Sequence, residues 1–72
     1  MKKIKKIKIK LNGKASLIEE NLSLSNYIRK LKVPLKKVAI ELNQEIIDKN
    51  KVSRIKLKNN DNIEIVHFIG GG

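Results

Sequence analysis

Residues 12 and 13 read Asn-Gly, between two runs in which apolar and polar residues alternate. Both residues tolerate positive φ, which the tightest antiparallel turns require, so the pair is the strongest short-range hairpin signal. Upstream, Ile7, Ile9 and Leu11 point one way and Lys6, Lys8 and Lys10 the other. That pattern is a strand with one buried face and one lysine face. Ile4 is out of phase, so the strand should begin after it. Downstream, a second strand should run through about Lys14 to Ile18. The chain therefore opens on a hairpin, and the remaining residues have to cover its apolar face.

The stretch NLSLSNYIRKLKVP switches to helical spacing. Leu24, Ile28 and Leu31 recur at i, i+4 and i+7, with Tyr27 beside them. Ser23 or Asn21 can cap the start, and Arg29, Lys30 and Lys32 suit the negative end of the helix dipole. Val33-Pro34 should end the helix, because the residue before a proline avoids the α region. KVAIEL then alternates, with Val38, Ile40 and Leu42 on one face. Asn43-Gln44 reads as a turn, EIID as a short strand, and Lys49 to Arg54 as polar and irregular. A turn at Asn59 to Asn62 leads into a last strand. There Ile63, Ile65, His67 and Ile69 face one way, and Glu64, Val66 and Phe68 the other. This order predicts an α+β protein: a mixed sheet of four to five strands with one main helix packed across one face. The first and last strands are the most apolar and should pair in the middle.

Seventy-two residues make one domain, here 1–72 with a basic leader at 1–6 and a glycine tail at 70–72. A chain this short has a marginal core. Twelve isoleucines supply most of it, because Tyr27 and Phe68 are the only aromatics. Without cysteine there are no disulfides, thiolate zinc sites or thiol nucleophiles. No apolar run approaches the roughly 18 residues that span a membrane, and the basic N-terminus lacks the apolar stretch of a signal peptide. The expected location is the cytoplasm.

The net charge of +10 points toward acidic partners, nucleic acid among them. Fifteen of the seventeen basic residues are lysines, and only Arg29 and Arg54 offer a guanidinium fork. No aromatic platform for stacking bases is visible. AT-rich coding alone produces an excess of Lys, Ile and Asn. The composition therefore argues against nucleic acid as the main partner.

The inventory for catalysis is thin. A single histidine, His67, builds neither a triad nor a zinc site by itself. Glu19 and Glu20 are adjacent and would point to opposite faces of a strand. Asp61 sits among asparagines, where its side chain can bond nearby backbone N–H groups. No glycine-rich loop joins a strand to a helix, so there is no phosphate cradle. The chain is not expected to be an enzyme, to hold a metal or to bind a cofactor.

What remains is HFIGGG. Without Cβ atoms, Gly70, Gly71 and Gly72 can lie extended in a channel too narrow for other residues. Extended, they project about 10 Å and present the α-carboxylate of Gly72, which is ionised at neutral pH. A carboxylate is a poor electrophile, but as an acyl-adenylate it becomes a good one. The tail reads as a handle for another enzyme's active site.

VAIELNQEII and LKNNDNIEIVHFIGGG resemble the thiamine-biosynthesis sulfur carrier proteins, small ubiquitin-like domains of the β-grasp fold. The resemblance runs from the LNGK hairpin to the end of the chain. It implies that Gly72 is adenylated by an ATP-using activating enzyme of the E1-like type. The carboxylate then becomes a thiocarboxylate with sulfur from a donor of the cysteine desulfurase type, and the sulfur passes to thiazole synthase. Gly70 and Gly71 match the family's flexible tail, and the sequence as given exposes Gly72 without proteolysis. The family's usual Gly-Asp turn before the last strand is Asn60-Asp61 here; Asn tolerates the left-handed conformation that turn needs. The lysine-rich leader is longer and more basic than expected for the family. Val66 and Phe68, on the strand face a single helix leaves uncovered, are expected to form the partner-docking patch; the competing expectation packs them under Lys49 to Arg54. Related readings are the small subunit of molybdopterin synthase and a ubiquitin-like protein tag. A different class is a basic RNA-binding β-grasp module, which would bind in a salt-sensitive way and be indifferent to loss of Gly72.

Overall fold

The structure, a computed structural model, describes residues 5–68. The leader residues 1–4, Ile69 and the tail Gly70–Gly72 lie outside them. The hairpin forms at Asn12-Gly13, with φ of 49° and 85°. It joins β1 (Lys6–Leu11) to β2 (Lys14–Glu19), one residue longer than expected. Their antiparallel register sets Ile7 opposite Ile18 and Ile9 opposite Ser16 on one face. Lys8 opposite Leu17 and Lys10 opposite Ala15 lie on the other.

The helix α1 spans Leu24–Lys30. Ser23 caps it, and its hydroxyl accepts the Asn26 N–H at 3.1 Å. The helix stops earlier than the proline suggested. Leu31 is the C-cap, and Lys32 turns left-handed at φ 59°. The Lys32 N–H then bonds the Arg29 carbonyl at 3.0 Å, and the Val33 N–H the Ile28 carbonyl at 3.5 Å. These two bonds make a Schellman motif, which satisfies the last carbonyls before Pro34 is reached. Lys32 therefore lies one residue past the C-cap, at the negative end of the helix dipole.

A 3₁₀ turn at Leu35–Lys37 leads into β3 (Val38–Leu42). Asn43 and Gln44, both at positive φ, turn the chain into β4, which is only Glu45–Ile46. The segment read as irregular is a 3₁₀ helix, Lys49–Arg54, capped by the Asp48 side chain on the Asn50 N–H. It buries Val52, and Leu57 follows it into the core. A lone apolar residue in a polar run carries no period, which is why this element escaped the sequence. The last strand, β5, spans Asn62–His67.

The sheet order is β2-β1-β5-β3-β4. The first and last strands do pair at its centre, in parallel, while β3 runs antiparallel to β5. The helix and the second 3₁₀ helix cover one face. Ile9, Leu24, Val38, Ile40 and Ile63 are fully buried between them, with Tyr27 and Ile28 from the helix. The backbone fastens this layer: the Leu24 N–H bonds the Ile55 carbonyl and the Leu57 N–H the Leu22 carbonyl, at 2.8 and 2.9 Å. The other face of the sheet is open. Among the described residues no helix is long and apolar enough to cross a membrane.

Burial pushes the Tyr27 phenol above its usual pKa. The unfolded chain releases that proton near pH 10, while the folded chain holds it to higher pH. Below about pH 10 both states are protonated and stability is intact; above it the unfolded state ionises first and stability falls. Urea midpoints should therefore drop above about pH 10, and drop less in Tyr27→Phe.

Candidate functional site

The strand β5 leads toward the expected reactive end of the chain. Along one edge β5 pairs with β3 from Leu42↔Ile63 to Val38↔His67. This pairing continues past the strand, where the Phe68 N–H bonds the Lys37 carbonyl at 3.0 Å. Along the other edge the ladder to β1 has two register pairs, Lys10↔Asn62 and Leu11↔Ile63. Beyond them the Asn12 side chain takes over. Its Oδ1 accepts the Ile65 N–H at 2.8 Å, and its Nδ2 donates to the Ile65 carbonyl at 3.4 Å. The hairpin turn thus doubles as a clamp on the strand that leads to the tail. The sequence showed only a turn former here, because nothing in a single sequence pairs residue 12 with residue 65.

The turn before β5 is stitched in the same way. Asn60 adopts φ 74°, so it meets the left-handed requirement at the expected departure from the family pattern. Asp61 is buried, and its carboxylate accepts the Lys58 N–H at 2.7 Å. Its other oxygen accepts from Asn43 Nδ2 at 3.0 Å, and Asn43 Oδ1 accepts the Asn62 N–H at 2.9 Å. Asp61 therefore does what the sequence suggested and also ties this turn to the β3–β4 turn.

Val66 and Phe68 point to the open face and are 57% and 56% exposed. They do not pack beneath residues 49–54. One side chain from that segment does reach over: the Lys49 ammonium stands 5.1 Å from the Phe68 ring centroid. Such a cation–π contact at an exposed ring is worth about 0.5–1 kcal/mol. His67 is exposed on the strand, and Glu19 and Glu20 are exposed at the far sheet edge. Among the described residues no three His, Cys, Asp or Glu side chains come together as a metal site. The expected reactive residues Gly70, Gly71 and Gly72 lie outside the described part, three to five residues beyond the end of β5.

A five-stranded mixed sheet gripping one helix, whose central last strand runs out toward a glycine end, defines a ubiquitin-like β-grasp domain. The model of the ThiS family matches residues 6–72, and the chain belongs to that family. It is 35% identical to the sulfur carrier protein ThiS of Bacillus subtilis, across 89% of this chain and 98% of that protein. It is also 36% identical to a thiazole synthase of Magnetococcus marinus, over 92% of this chain. That alignment spans only 20% of the thiazole synthase. The same share is matched in the thiazole synthase of Paramagnetospirillum magneticum, at 33% identity. Among solved structures, the thiamine biosynthesis protein ThiS of Geobacter metallireducens superposes with a TM-score of 0.81. It is 30% identical, and the match covers 92% of this chain and 100% of that one.

Asn12→Gly keeps the positive φ but removes the clamp. Leaving the Ile65 N–H and carbonyl without their partner should cost about 1–3 kcal/mol in urea unfolding. Amide exchange at Ile65 should accelerate before that of Ile40, which β3 still protects.

Proposed function

We propose that this chain is a sulfur carrier of thiamine biosynthesis, acted on by enzymes rather than acting as one. The carboxylate of Gly72 attacks the α-phosphorus of ATP in an E1-like activating enzyme, and pyrophosphate leaves. A persulfide, charged by a donor of the cysteine desulfurase type, displaces AMP to give an acyl disulfide. A thiol of the partner enzyme then cleaves its S–S bond, is itself oxidised to a disulfide, and leaves a thiocarboxylate. Thiazole synthase takes the sulfur, and the glycine carboxylate is regenerated. ATP is thus a substrate of the partner, not a ligand of this domain, and the cycle runs in the cytoplasm.

The observation that carries this reading is the match to the ThiS family through Gly72. Geometry adds to it. The sheet secures the chain up to Phe68 on the β3 side and up to Ile65 on the β1 side, so three glycines can enter a deep site while the domain stays outside. Thiazole synthase as the acceptor is supported by the two thiazole synthases that carry a segment similar to this chain. Val66 and Phe68 are the proposed docking patch, an exposed apolar pair at the root of the tail.

Incubated with ATP, the activating enzyme and a sulfur source, the chain should gain the mass of one oxygen replaced by sulfur. Deleting Gly72 should abolish the gain without moving the unfolding midpoint; an unchanged mass with a demonstrably active partner would overturn the proposal. Phe68→Glu should weaken the complex with the activating enzyme at least about tenfold, as expected for an apolar anchor worth more than 1 kcal/mol. Undiminished adenylation of a folded Phe68→Glu chain would remove Val66 and Phe68 from the interface.

A further inference from the structure

The open face of the sheet carries a second feature, set apart from the apolar pair. Lys6, Lys8 and Lys10 stand in a row on β1, a strand with neighbours on both sides. Their surroundings differ. Lys6 faces Glu19 across the hairpin, which offsets its charge. Lys8 faces Leu17 and Lys10 faces Ala15, neither of which can do so. Toward β5, Lys10 faces Asn62. The acidic residues Glu41 and Glu64 of the open face stand opposite each other across β3 and β5, further along the sheet. Among the described residues of β1, Lys8 and Lys10 are therefore the cations of this face whose directly opposite residues carry no carboxylate.

A shallow cavity of about 250 Å³ lies between these lysines and β5, lined by Lys8, Ile9, Lys10, Asn60 and Asn62. Two lysines and two asparagines thus line it, and none of the lining residues is acidic. The nearest carboxylate in sequence, Asp61, is buried and engaged by Lys58 and Asn43. We propose that Lys8, Lys10, Asn60 and Asn62 form a docking subsite for an acidic segment of a protein partner. The partner is the one that takes the tail, so this placement rests on the carrier reading; the anion subsite itself does not.

Spacing and continuity favour a protein. Lys8 and Lys10 are about 7 Å apart along the strand. Carboxylates at alternate positions of an extended peptide repeat at that same interval, so two can be matched at once. Asn62, Glu64 and Val66 share one face of β5, which puts the cavity only about 13 Å from the docking patch. A standard interface of about 800 Å² per partner covers both. Leu17, 65% exposed beside Lys8, adds apolar area at that end. RNA fits less well, because Phe68, the only aromatic on this face among the described residues, lies about 20 Å from Asn62. Lysines placed in this way raise the association rate more than the affinity.

The test compares two charge reversals that change the net charge equally. K8E/K10E alters the subsite; K30E/K51E alters two exposed lysines of the helix layer. K8E/K10E should slow association with the activating enzyme at low salt by about tenfold and flatten its salt dependence. K30E/K51E should change the rate less than about twofold, as expected for charges outside the contact. Equal slowing by both variants, or none by K8E/K10E, overturns the proposal. A second arm needs no enzyme. Hexaglutamate should shift the amide resonances of Lys8, Lys10, Asn60 and Asn62 in the ¹⁵N-labelled chain, and not those of folded K8E/K10E. Stronger shifts there with an oligouridylate of equal charge overturn the protein partner in favour of RNA. If hexaglutamate maps to these four residues in a chain that never forms a thiocarboxylate, the subsite stands and the carrier reading falls.

Discussion

The parallel junction between β1 and β5 is the constraint on which the rest depends. It joins residues more than fifty positions apart, so it closes nearly the whole chain on itself, and only two register pairs define it. A ladder so short would be weak at the centre of a sheet. Asparagine side chains extend it at both ends. Asn59 Oδ1 accepts the Lys8 N–H at 2.8 Å at one end, and Asn12 grips Ile65 at the other. Between them the Asn60 N–H bonds the Lys8 carbonyl, the Lys10 N–H the Asp61 carbonyl and the Asn12 N–H the Ile63 carbonyl. Side-chain amides thus supply ladder partners that the backbone cannot, because the chain is already turning at both places.

The two faces of the sheet follow from that junction. With β1 and β5 side by side, Ile9 and Ile63 meet beneath the helix and are sealed from water. Lys8, Lys10, Glu64 and Val66 are turned the other way by the same alternation. One helix of seven residues with a short 3₁₀ helix suffices to cover one side and cannot cover two. The open side carries the lysine row, the acidic pair and the apolar pair in sequence toward the tail. In the proposed function, that surface and the chain end are what the domain presents to its partners.

Much of this was legible because small domains leave local signals little room to be overridden. The hairpin, the periods of β1, β3 and β5, and the Ser23 cap are local, and tertiary packing agreed with each. The helix end was misplaced because two adequate stop signals lay close together. The Schellman motif at Lys32 acted first and left Pro34 with nothing to terminate. The second 3₁₀ helix was unreadable because its one buried residue, Val52, shows no period. The exposure of Val66 and Phe68 could be anticipated from alternation, but whether residues 49–54 would fold over them depended on where that segment docked. It packs against the helix and sends only Lys49 across.

The amino-acid sequence by itself determined which residues alternate, where the chain turns, that a single helix serves one face, and that the chain runs into three glycines. Those properties reside in neighbouring residues, whose spacing and backbone preferences act before any distant contact forms. Tertiary structure alone decided that Asn12 clamps Ile65, that Asn43 and Asp61 bind two turns together, and that Lys8 and Lys10 share a cavity with Asn60 and Asn62. Each of these joins residues that only the closed sheet brings within hydrogen-bonding or docking range. A side-chain amide reads the same in sequence whether it faces water or completes a ladder.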